Sequence, residues 1–241
     1  GVRFSRRAEP VLSFADGRRS VLTPALLRNA DGSLRREGGR LRMWISCCDF
    51  PSGSARHTLH ETGSDDGTAW DPPSPALLEG VYAPTVIQEG GTFRLWFADV
   101  REDPWAIRQA ESPDGRRWTV ADRPALVLDQ SWERGRLFYP AVVKADGLYL
   151  MWYGSYRSGE REMKTSLGLA VSRDGCAWTK SPSNPVFGPD PSRPWESHFT
   201  TSHTVLRDAG GRWRIWYAAR RKPPFVNKYF AIGTAHWDGP A

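Results

Sequence analysis

Short sequence motifs recur in a fixed order along the chain, and an internal repeat of this kind restricts the possible folds more than any other feature. The clearest motif, Ser-x-Asp-Gly-x-x-Trp, occurs at residues 64–70, 112–118 and 172–178, with a weaker copy at Trp237-Asp238-Gly239. An apolar run around a tryptophan precedes each copy, at Trp44, Trp96, Trp152 and Trp216. A third motif opens each repeat and contains Pro24, Pro84, Pro140 and, in the fourth copy, His203. The chain therefore contains four copies of a unit of about 60 residues.

The turns between these motifs indicate strands. Gly90-Gly91 and Asp146-Gly147 separate runs rich in β-branched and aromatic residues, and such dipeptides are the strongest short hairpin signal. Each unit contains four such runs, and a repeated four-stranded unit is typical of a β-propeller. A sandwich would not repeat its motifs in register, and no stretch of ten residues shows a helical period. The sequence predicts an all-β propeller of four-stranded blades, four in number.

The two ends of the chain resemble parts of one blade. Residues 1–4 and 10–12 match residues 175–178 and 185–187, so we expect the N-terminus to supply the fourth strand of the last blade and close the ring. We predict one propeller domain over residues 1–241, with repeats at about 21–79, 80–137, 138–198, and 199–241 together with 1–20.

Loop lengths indicate the functional face. The connections that follow each tryptophan run and those that join successive repeats are long, and a propeller places both sets at the same end. Long loops on one face of a rigid scaffold are where binding and catalysis concentrate.

Composition limits the classes of function. The net charge is +6, but the 33 Lys and Arg residues are scattered among 27 acidic ones, which argues against a nucleic-acid partner. No apolar run reaches the roughly 18 residues of a membrane helix, so we expect no membrane partner. Cys47, Cys48 and Cys176 are odd in number and two are adjacent, which favours reduced thiols and a cytoplasmic location. The chain begins at Gly1, which leaves a trimmed leader as an alternative.

The order of these motifs resembles the propeller superfamily of glycoside hydrolase families 43, 32 and 130. The resemblance covers essentially the whole chain and is clearest from Leu148 to Phe187, where Met151-Trp152-Tyr153, Leu167-Gly168-Leu169-Ala170 and Asn184-Pro185-Val186 follow in order. It implies a carbohydrate-active propeller. Because those families usually have five blades, a five-bladed ring is the alternative to four.

The chain departs from that superfamily at its catalytic positions. There, the carboxylates lie one or two residues before the proline of the innermost strands. In this chain those positions hold Leu22-Thr23, Tyr82-Ala83, Phe138-Tyr139 and Thr201-Ser202, none of which is acidic. Two-carboxylate hydrolysis needs an acid and a base or nucleophile on either side of the bond. We therefore expect weak or absent glycosidase activity.

Glu196, His203 and Tyr139 are the three candidates for catalysis, and Glu133 is a weaker fourth. Glu196 follows Trp195, whose bulk would desolvate a general acid, and Glu133 beside Trp132 is a second carboxylate of this kind. Pairing with a nearby arginine is the structural alternative for both. His203 replaces proline on an innermost strand, where it would be a general base or a core histidine. Tyr139, at one of the acidic positions of the superfamily, is the third candidate.

Neither a cofactor nor a metal ion is predicted. His198 and His60 could join His203 as metal ligands, but no ligand spacing supports such a site. Cys47 and Cys48 follow a tryptophan-bearing strand, so we expect one of the two thiols to face the pocket, and no base partner for it is evident.

The binding residues are expected on the long-loop face. Tyr82, Phe138, Tyr139, Tyr156 and Trp105 repeat least and would form the walls of a pocket that stacks on sugars. Counting five residues from each repeated tryptophan predicts a charged ring at Asp49, Arg101, Arg157 and Arg221, which implies an anionic ligand. The full set of predicted binding residues is Asp49, His60, Tyr82, Asp99, Arg101, Arg108, Tyr156, Arg157 and Arg221.

Three functions fit the sequence. The first is a glycosidase-like enzyme that acts on a small polar, anionic or sugar-like molecule in the axial pocket. The second is a non-hydrolytic biosynthetic enzyme with the same fold. The third is a noncatalytic propeller that binds a glycan or another small ligand. The fold alone does not choose among them.

Overall fold

Four antiparallel sheets account for almost all the regular structure in the computed structural model of this chain. The structure describes residues 9–14, 16–29, 31–49, 56–159, 163–208, 210–221 and 230–239. Within them, the helical element is a single 3-10 turn, Pro194–Glu196. The sheets are the blades of a four-bladed β-propeller, so the predicted fold class and blade number are confirmed, and the five-bladed alternative is not.

Each blade is an antiparallel meander. In blades two, three and four successive strands pair, whereas in blade one the first and second long strands pair directly and the short strand between them also pairs with the second long strand. Blade one contains β1 (Arg19–Leu26), β2 (Arg36–Glu37), β3 (Arg40–Asp49), β4 (Arg56–Ser64) and β5 (Leu78–Glu79). Blade two contains β6 (Val81–Glu89), β7 (Thr92–Asp99), β8 (Ala106–Ser112) and β9 (Thr119–Val120). Blade three contains β10 (Glu133–Ala145), β11 (Leu148–Arg157), β12 (Thr165–Ser172) and β13 (Thr179–Lys180). Blade four contains β14 (Phe199–Arg207), β15 (Trp213–Arg220) and β16 (Ala231–Trp237).

The first long strand of each blade lies nearest the axis. Strand β1 contacts β6, β6 contacts β10, and β10 contacts β14. The last blade returns to the first, because a Cβ atom at Gly32 of blade one would lie 3.4 Å from Leu206 Cδ2 of blade four. The predicted closing strand falls on residues 1–4, which lie outside the described residues.

The Ser-x-Asp-Gly-x-x-Trp motif forms the turn between the third and fourth strands of a blade. In blade two, Asp114 Oδ1 accepts hydrogen bonds from the backbone N–H groups of Arg116 and Arg117, each at 2.9 Å. Ser112 Oγ accepts one from the N–H of Gly115 at 2.8 Å. Gly115 has a φ of 75°, a value that favours glycine. The motif therefore encodes a turn rather than a site.

The repeated tryptophans connect neighbouring blades through these turns. The indole Nε1–H of Trp44 donates to the carbonyl of Gly115 in blade two at 2.8 Å, and that of Trp96 donates to Gly175 in blade three at 3.1 Å. Both indoles are fully buried. Trp44 packs with Phe93 and Leu95 of the next blade. For these two tryptophans, the predicted role as core residues between blades is confirmed.

Candidate functional site

A strained bulge occurs at the same place in all four innermost strands. The register between first and second strands shifts there in every blade. One residue of each bulge has a positive φ, between 38° and 51°, and these residues are Thr23, Ala83, Tyr139 and Ser202. A positive φ is costly for residues other than glycine, and such strain clusters at functional sites. The four positions coincide with those that carry carboxylates in the superfamily that the sequence resembles.

The side chains at the four bulges are uncharged, and those of Thr23 and Tyr139 form hydrogen bonds. Thr23 Oγ1 lies 2.5 Å from Ser46 Oγ of the adjacent strand. The phenol oxygens of Tyr139 and Tyr82 share a hydrogen bond between blades three and two. The bulges thus bring hydroxyl groups toward the axis, and no acid among these four residues.

An aromatic cluster lies at the end of the axis where innermost strands begin and second strands end. We call it the aromatic belt, and its members are His57, Tyr82, Trp105, Phe138, Tyr139 and Tyr156. The ring centroid of Tyr82 lies 4.9 Å from that of His57, 5.9 Å from Trp105 and 5.2 Å from Tyr139. Phe138 continues the belt, with centroids 5.7 Å from Tyr139 and 5.4 Å from Tyr156. The structure therefore brings together all five aromatic residues predicted as pocket walls.

The belt holds its titratable groups in their neutral forms. Burial raises the pKa of Tyr82, and its neighbours Tyr139, Tyr156 and Cys48 raise it further. Burial lowers the pKa of His57. Its Nδ1 atom is buried without a hydrogen-bond partner in the part of the chain that the structure describes. The belt can therefore stack on an apolar ring face and offer phenol and imidazole hydrogen bonds.

The second strands complete the belt from the remaining blades. Side chains alternate along a strand, so a residue four positions after each repeated tryptophan shares its face, whereas the residue at position five points the opposite way. The position-four residues are Cys48, Val100, Tyr156 and Arg220. Tyr156 is a belt member, and Cys48 influences Tyr82, so two of the four border the belt directly. Arg220 of β15 occupies the same position in blade four.

Cys48 is therefore the thiol on the pocket side, as expected for one of the pair. Burial raises the pKa of both thiols, which keeps them protonated. Cys47 packs on the opposite face with Met43 and Ile45. All three cysteines are free thiols.

The predicted acids lie away from the belt and are engaged. Glu196 is 2% exposed, and its carboxylate accepts a hydrogen bond from the Tyr217 hydroxyl at 2.5 Å and one from Arg193 at 3.1 Å. Glu133 accepts one from the Tyr153 hydroxyl at 2.8 Å and pairs with Lys180 at 2.6 Å. The same carboxylate–tyrosine contact thus recurs in blades three and four. This repetition supports the structural interpretation of both residues over general acid catalysis.

His203 lies against blade three. Burial lowers its pKa to about 4, so the imidazole is neutral at neutral pH. Both ring nitrogens are buried. The backbone of Trp152 lies nearby, but among the described residues neither nitrogen forms a hydrogen bond of normal geometry. An imidazole with so low a pKa is a weak base, so the geometry gives the predicted general base little support.

The four residues of the predicted charged ring come from four different blades, and Arg101 is already paired in its own blade. Arg101 binds Asp99 through two hydrogen bonds of 2.9 and 2.7 Å, and Arg108 joins them at 2.9 Å. Burial alone would raise the pKa of Asp99, but the hydrogen bonds and charges of the two arginines outweigh it and lower the pKa. These three predicted residues form one ion-pair cluster on blade two.

The other members of that ring lie at second-strand ends. Asp49 pairs in register with Arg19 and Arg56, and Arg157 lies opposite Glu133. Arg221 follows the last residue of β15 and is exposed. Because position five points away from the face of the tryptophan, the geometry gives the ring no direct support.

His60 is fully engaged inside blade one. Its Nδ1 atom lies 2.7 Å from the Ser74 carbonyl oxygen, and its Nε2 atom lies 2.8 Å from Thr58 Oγ1. Its ring packs edge-on against Phe14. These contacts indicate a structural role for His60. In the described ranges, no group of three or more His, Cys, Asp and Glu residues is placed to hold a metal ion.

Two clefts lie apart from the belt. The larger, about 500 Å³, is between blades one and two. There Glu61 binds Arg42 at 2.8 Å and Arg116 at 2.6 Å. The smaller, about 280 Å³, lies beside Lys180 between blades two and three. In the larger cleft these charges neutralise one another, so it offers a ligand less than the belt does.

Sequence reasoning did not select Arg220 or His57. The sequence contains a signal for Arg220. Residues on the same strand face as the repeated tryptophan lie an even number of positions from it, whereas the prediction counted five positions, an odd number. His57 begins a third strand that carries no repeated motif at that position. Only the packing of blade one against blade two brings it to Tyr82.

The fold and the belt define a four-bladed β-propeller with a candidate site at one end of its axis. No protein-family model matches the chain. Two proteins from strains of Mycobacterium tuberculosis, both described as uncharacterized, are each 29% identical to it over 140 residues. That match covers 55% of this chain and 44% of each relative, so the chain spans less than half the length of the curated relatives it matches.

Solved structures place the fold among propellers of carbohydrate-active proteins. A family 130 protein, from a study of glycoside hydrolases that target β-1,2-mannosidic linkages, has a TM-score of 0.69 at 15% identity, over 97% of this chain and 75% of its own. An N-acetylgalactosamine deacetylase from F. plautii also scores 0.69, at 16% identity, over 89% and 67%. A family 117 glycoside hydrolase from Zobellia galactanivorans scores 0.66, at 14% identity, over 93% and 69%. The chain has the fold of the glycoside hydrolase propellers.

In the part of the chain that the structure describes, no helix has the length and apolar character needed to cross a membrane.

Proposed function

We propose that this protein binds a small, sugar-like molecule against the aromatic belt at the axial end of the propeller. The observation that carries the proposal is the belt itself, in which rings from blades one, two and three meet around the axis. Aromatic faces stack on the apolar faces of sugar rings, while phenol and imidazole groups bind hydroxyls. The carbohydrate-active propellers with the same fold support this class of ligand.

Binding accounts for the site better than hydrolysis does. The four strained positions hold Thr23, Ala83, Tyr139 and Ser202 instead of carboxylates. Glu133 and Glu196 are already bonded to tyrosine hydroxyls and cations. A two-carboxylate mechanism that used Glu133 and Glu196 would therefore have to break these contacts first. We propose a ligand-binding role in which the strained bulges hold the belt in place.

Titration calorimetry with a panel of monosaccharides and short oligosaccharides tests the binding role. Tyr156→Ala removes a stacking surface from the belt, so we expect the affinity for the best ligand of the panel to fall on the order of tenfold. Trp195→Ala is the matched control, because Trp195 is a partly exposed aromatic residue that stacks on Tyr217 outside the belt. Equal losses in both variants, or no binding by the unmodified protein, would contradict the proposal.

A screen with nitrophenyl glycosides tests the absence of hydrolysis. We expect no turnover above background, and we expect Glu196→Gln to lower the melting temperature because a buried hydrogen-bonded carboxylate is lost. Robust turnover that Glu196→Gln abolishes would show that Glu196 is a catalytic acid and that the binding role is incomplete.

A further inference from the structure

His57 supplies the imidazole of the aromatic belt, and one of its ring nitrogens is left without a partner. Its ring centroid lies 4.9 Å from that of Tyr82, at an interplanar angle of 64°. Its Nδ1 atom is buried and has no hydrogen-bond partner among the described residues. His60, three residues further along the same strand, instead engages both ring nitrogens, with Thr58 and Ser74. His57 therefore differs from a histidine that serves only the fold.

The unpaired nitrogen of His57 makes the imidazole an unfavourable choice for stability. A buried polar atom without a hydrogen bond costs its full desolvation energy. A phenylalanine at this place would avoid that cost and keep the edge-to-face contact with Tyr82. A local feature that lowers stability beside a candidate site is typical of a functional residue.

The fold holds His57 in a fixed position. His57 pairs in register with Cys48, so the two side chains share the belt side of the sheet. Its carbonyl oxygen accepts a hydrogen bond from the N–H of Gly80 at 2.7 Å. Tyr82, which packs against its ring, shares a hydrogen bond with Tyr139. His57 is only partly buried and its Nδ1 atom is enclosed, so Nε2 is the atom that a ligand can approach.

We infer that His57 is the specificity-determining residue of the belt, and that its Nε2 atom forms a hydrogen bond with a hydroxyl group of the bound sugar. This inference rests on the proposed function and names the feature of the ligand that the same site selects. A neutral imidazole has one donor and one acceptor nitrogen, and a hydroxyl group is a partner for either. A site built to bind a hydroxyl rejects an analogue that lacks it, because the polar atom of the site is then left unpaired.

The same contact makes binding depend on pH. Burial lowers the pKa of His57 from its ordinary value of 6.5. Among the described residues, the titratable groups that face it are the Cys48 thiol on β3 and the Tyr82 phenol on β6, and burial raises the pKa of both, so both stay neutral. The charged side chains at the neighbouring register positions point to the opposite face of the sheet, and they are Asp49, Arg56 and Glu79.

A sugar that covers the imidazole removes it further from water and opposes its protonation. The affinity should therefore be highest at neutral pH and fall as the pH drops below 6.5, where the free protein begins to take up the proton.

Calorimetry with D-glucose, D-galactose and D-mannose, and with the monodeoxy analogues of the sugar that binds most tightly, tests the inference. We expect the unmodified protein to bind at least one deoxy analogue at least tenfold more weakly than the parent sugar. In His57→Phe we expect the affinity for the parent sugar to fall at least tenfold and the discrimination against that analogue to shrink below twofold. This cycle of protein and ligand changes isolates the contact between imidazole and hydroxyl.

Thermal unfolding separates this role from a structural one. His57→Phe keeps the ring contact with Tyr82 and removes the unpaired nitrogen, so we expect its melting temperature to equal or exceed that of the unmodified protein. His57→Gln places an amide near the position of Nε2 and should retain more affinity than His57→Phe. His236→Phe, at an exposed histidine of β16, is the matched control and should change the affinity less than twofold.

Three results would overturn the inference. The first is unchanged affinity in a folded His57→Phe, and the second is discrimination against deoxy analogues, or a pH profile of binding, that is the same in both proteins. The third is a lower melting temperature of His57→Phe that accompanies its loss of affinity, since this would indicate a structural role.

The saccharide panel separates this inference from the proposed function. If an oligosaccharide of the panel binds and none of the three monosaccharides does, the belt binds sugars and the role of His57 is wrong. If no member of the panel binds, both proposals are wrong.

Discussion

At the scale of single residues, buried histidines give this protein a defined dependence on pH. His203 is the clearest case, because both of its ring nitrogens are buried and this burial lowers its pKa to about 4. In the unfolded chain a histidine titrates near 6.5. The unfolded state therefore takes up a proton at a higher pH than the folded state, and folding is penalised on acidification.

Replacing His203 with proline, the residue at this place in the other three blades, should reduce the loss of stability in acid. The difference between about 4 and 6.5 corresponds to about 3 kcal/mol, present at pH 7 and lost as the pH falls from about 6.5 to 4. Urea unfolding at several pH values measures it. Burial also lowers the pKa of His57 and His60, so His203→Pro should flatten the pH profile without abolishing it.

The control for this prediction is His236→Gln, which changes an exposed histidine on β16. We expect its unfolding free energy to follow the same pH profile as the unmodified protein. A steep acid loss that persists unchanged in His203→Pro would show that His203 is not its source.

At the scale of elements, turns and strand alternation explain what sequence patterns predict well. The Asp-Gly turn is predicted correctly, because its conformation depends on residues within the turn. Gly147 has a φ of 77° in such a turn. Counting five residues from each tryptophan reaches Asp49 and Arg157, which lie on the strand face opposite to Cys48 and Tyr156 because side chains alternate with a period of two.

Gly115→Ala should destabilise the protein more than Gly147→Ala does. Both glycines have a φ near 75°, so each variant places an alanine in the left-handed region, which lowers the free energy of unfolding by about 1 kcal/mol. A Cβ atom at Gly115 would also lie 2.7 Å from Trp44 Cζ2 and from a guanidinium nitrogen of Arg42. Within the described part of the chain, and apart from its own chain neighbours, no atom lies within 4 Å of a Cβ atom at Gly147. We expect an additional loss of about 2 kcal/mol in Gly115→Ala, measured by denaturant unfolding. Equal losses of unfolding free energy in the two variants would show that the side chains of Trp44 and Arg42 move away from the added Cβ atom at no energetic cost.

At the scale of the whole molecule, the innermost strands contact one another from blade one to blade four, and the outer described strand of blade four is β16. Strand β16 pairs with β15 on one side, and Ile232 is 81% exposed on it. An unpaired strand edge is a template for association with other chains. The sequence predicts that residues 1–4 cover this edge.

Deletion of residues 1–12 should therefore lower the melting temperature by several degrees and promote aggregation. Leu12→Ala is the control, because Leu12 also packs on the cluster around Phe14, and this variant removes only that contact. Calorimetry and light scattering measure the two effects. A deletion variant that has the same melting temperature as Leu12→Ala and stays monomeric would rule out the closing strand.

The sequence by itself determined the blade. Repeated motifs specify strands, turns and the tryptophan contacts between neighbours, since each depends on residues close together in the chain or on an exact repeat. The resemblance to the glycoside hydrolase propellers pointed to four positions without an acid, and only the structure shows that each of them lies in a β-bulge. Loop lengths predict the face on which the long loops gather.

Only the tertiary structure decided which side chains meet. Tyr82, Tyr139 and His57 come from three blades, and no local pattern relates their positions. Glu196 follows a tryptophan in the sequence, which predicts a desolvated acid. Its hydrogen bond with Tyr217, however, depends on how a loop packs onto β15. The lowered pKa of His57 likewise follows only from burial in the folded protein, because the hydration of a charged group depends on every element packed around it.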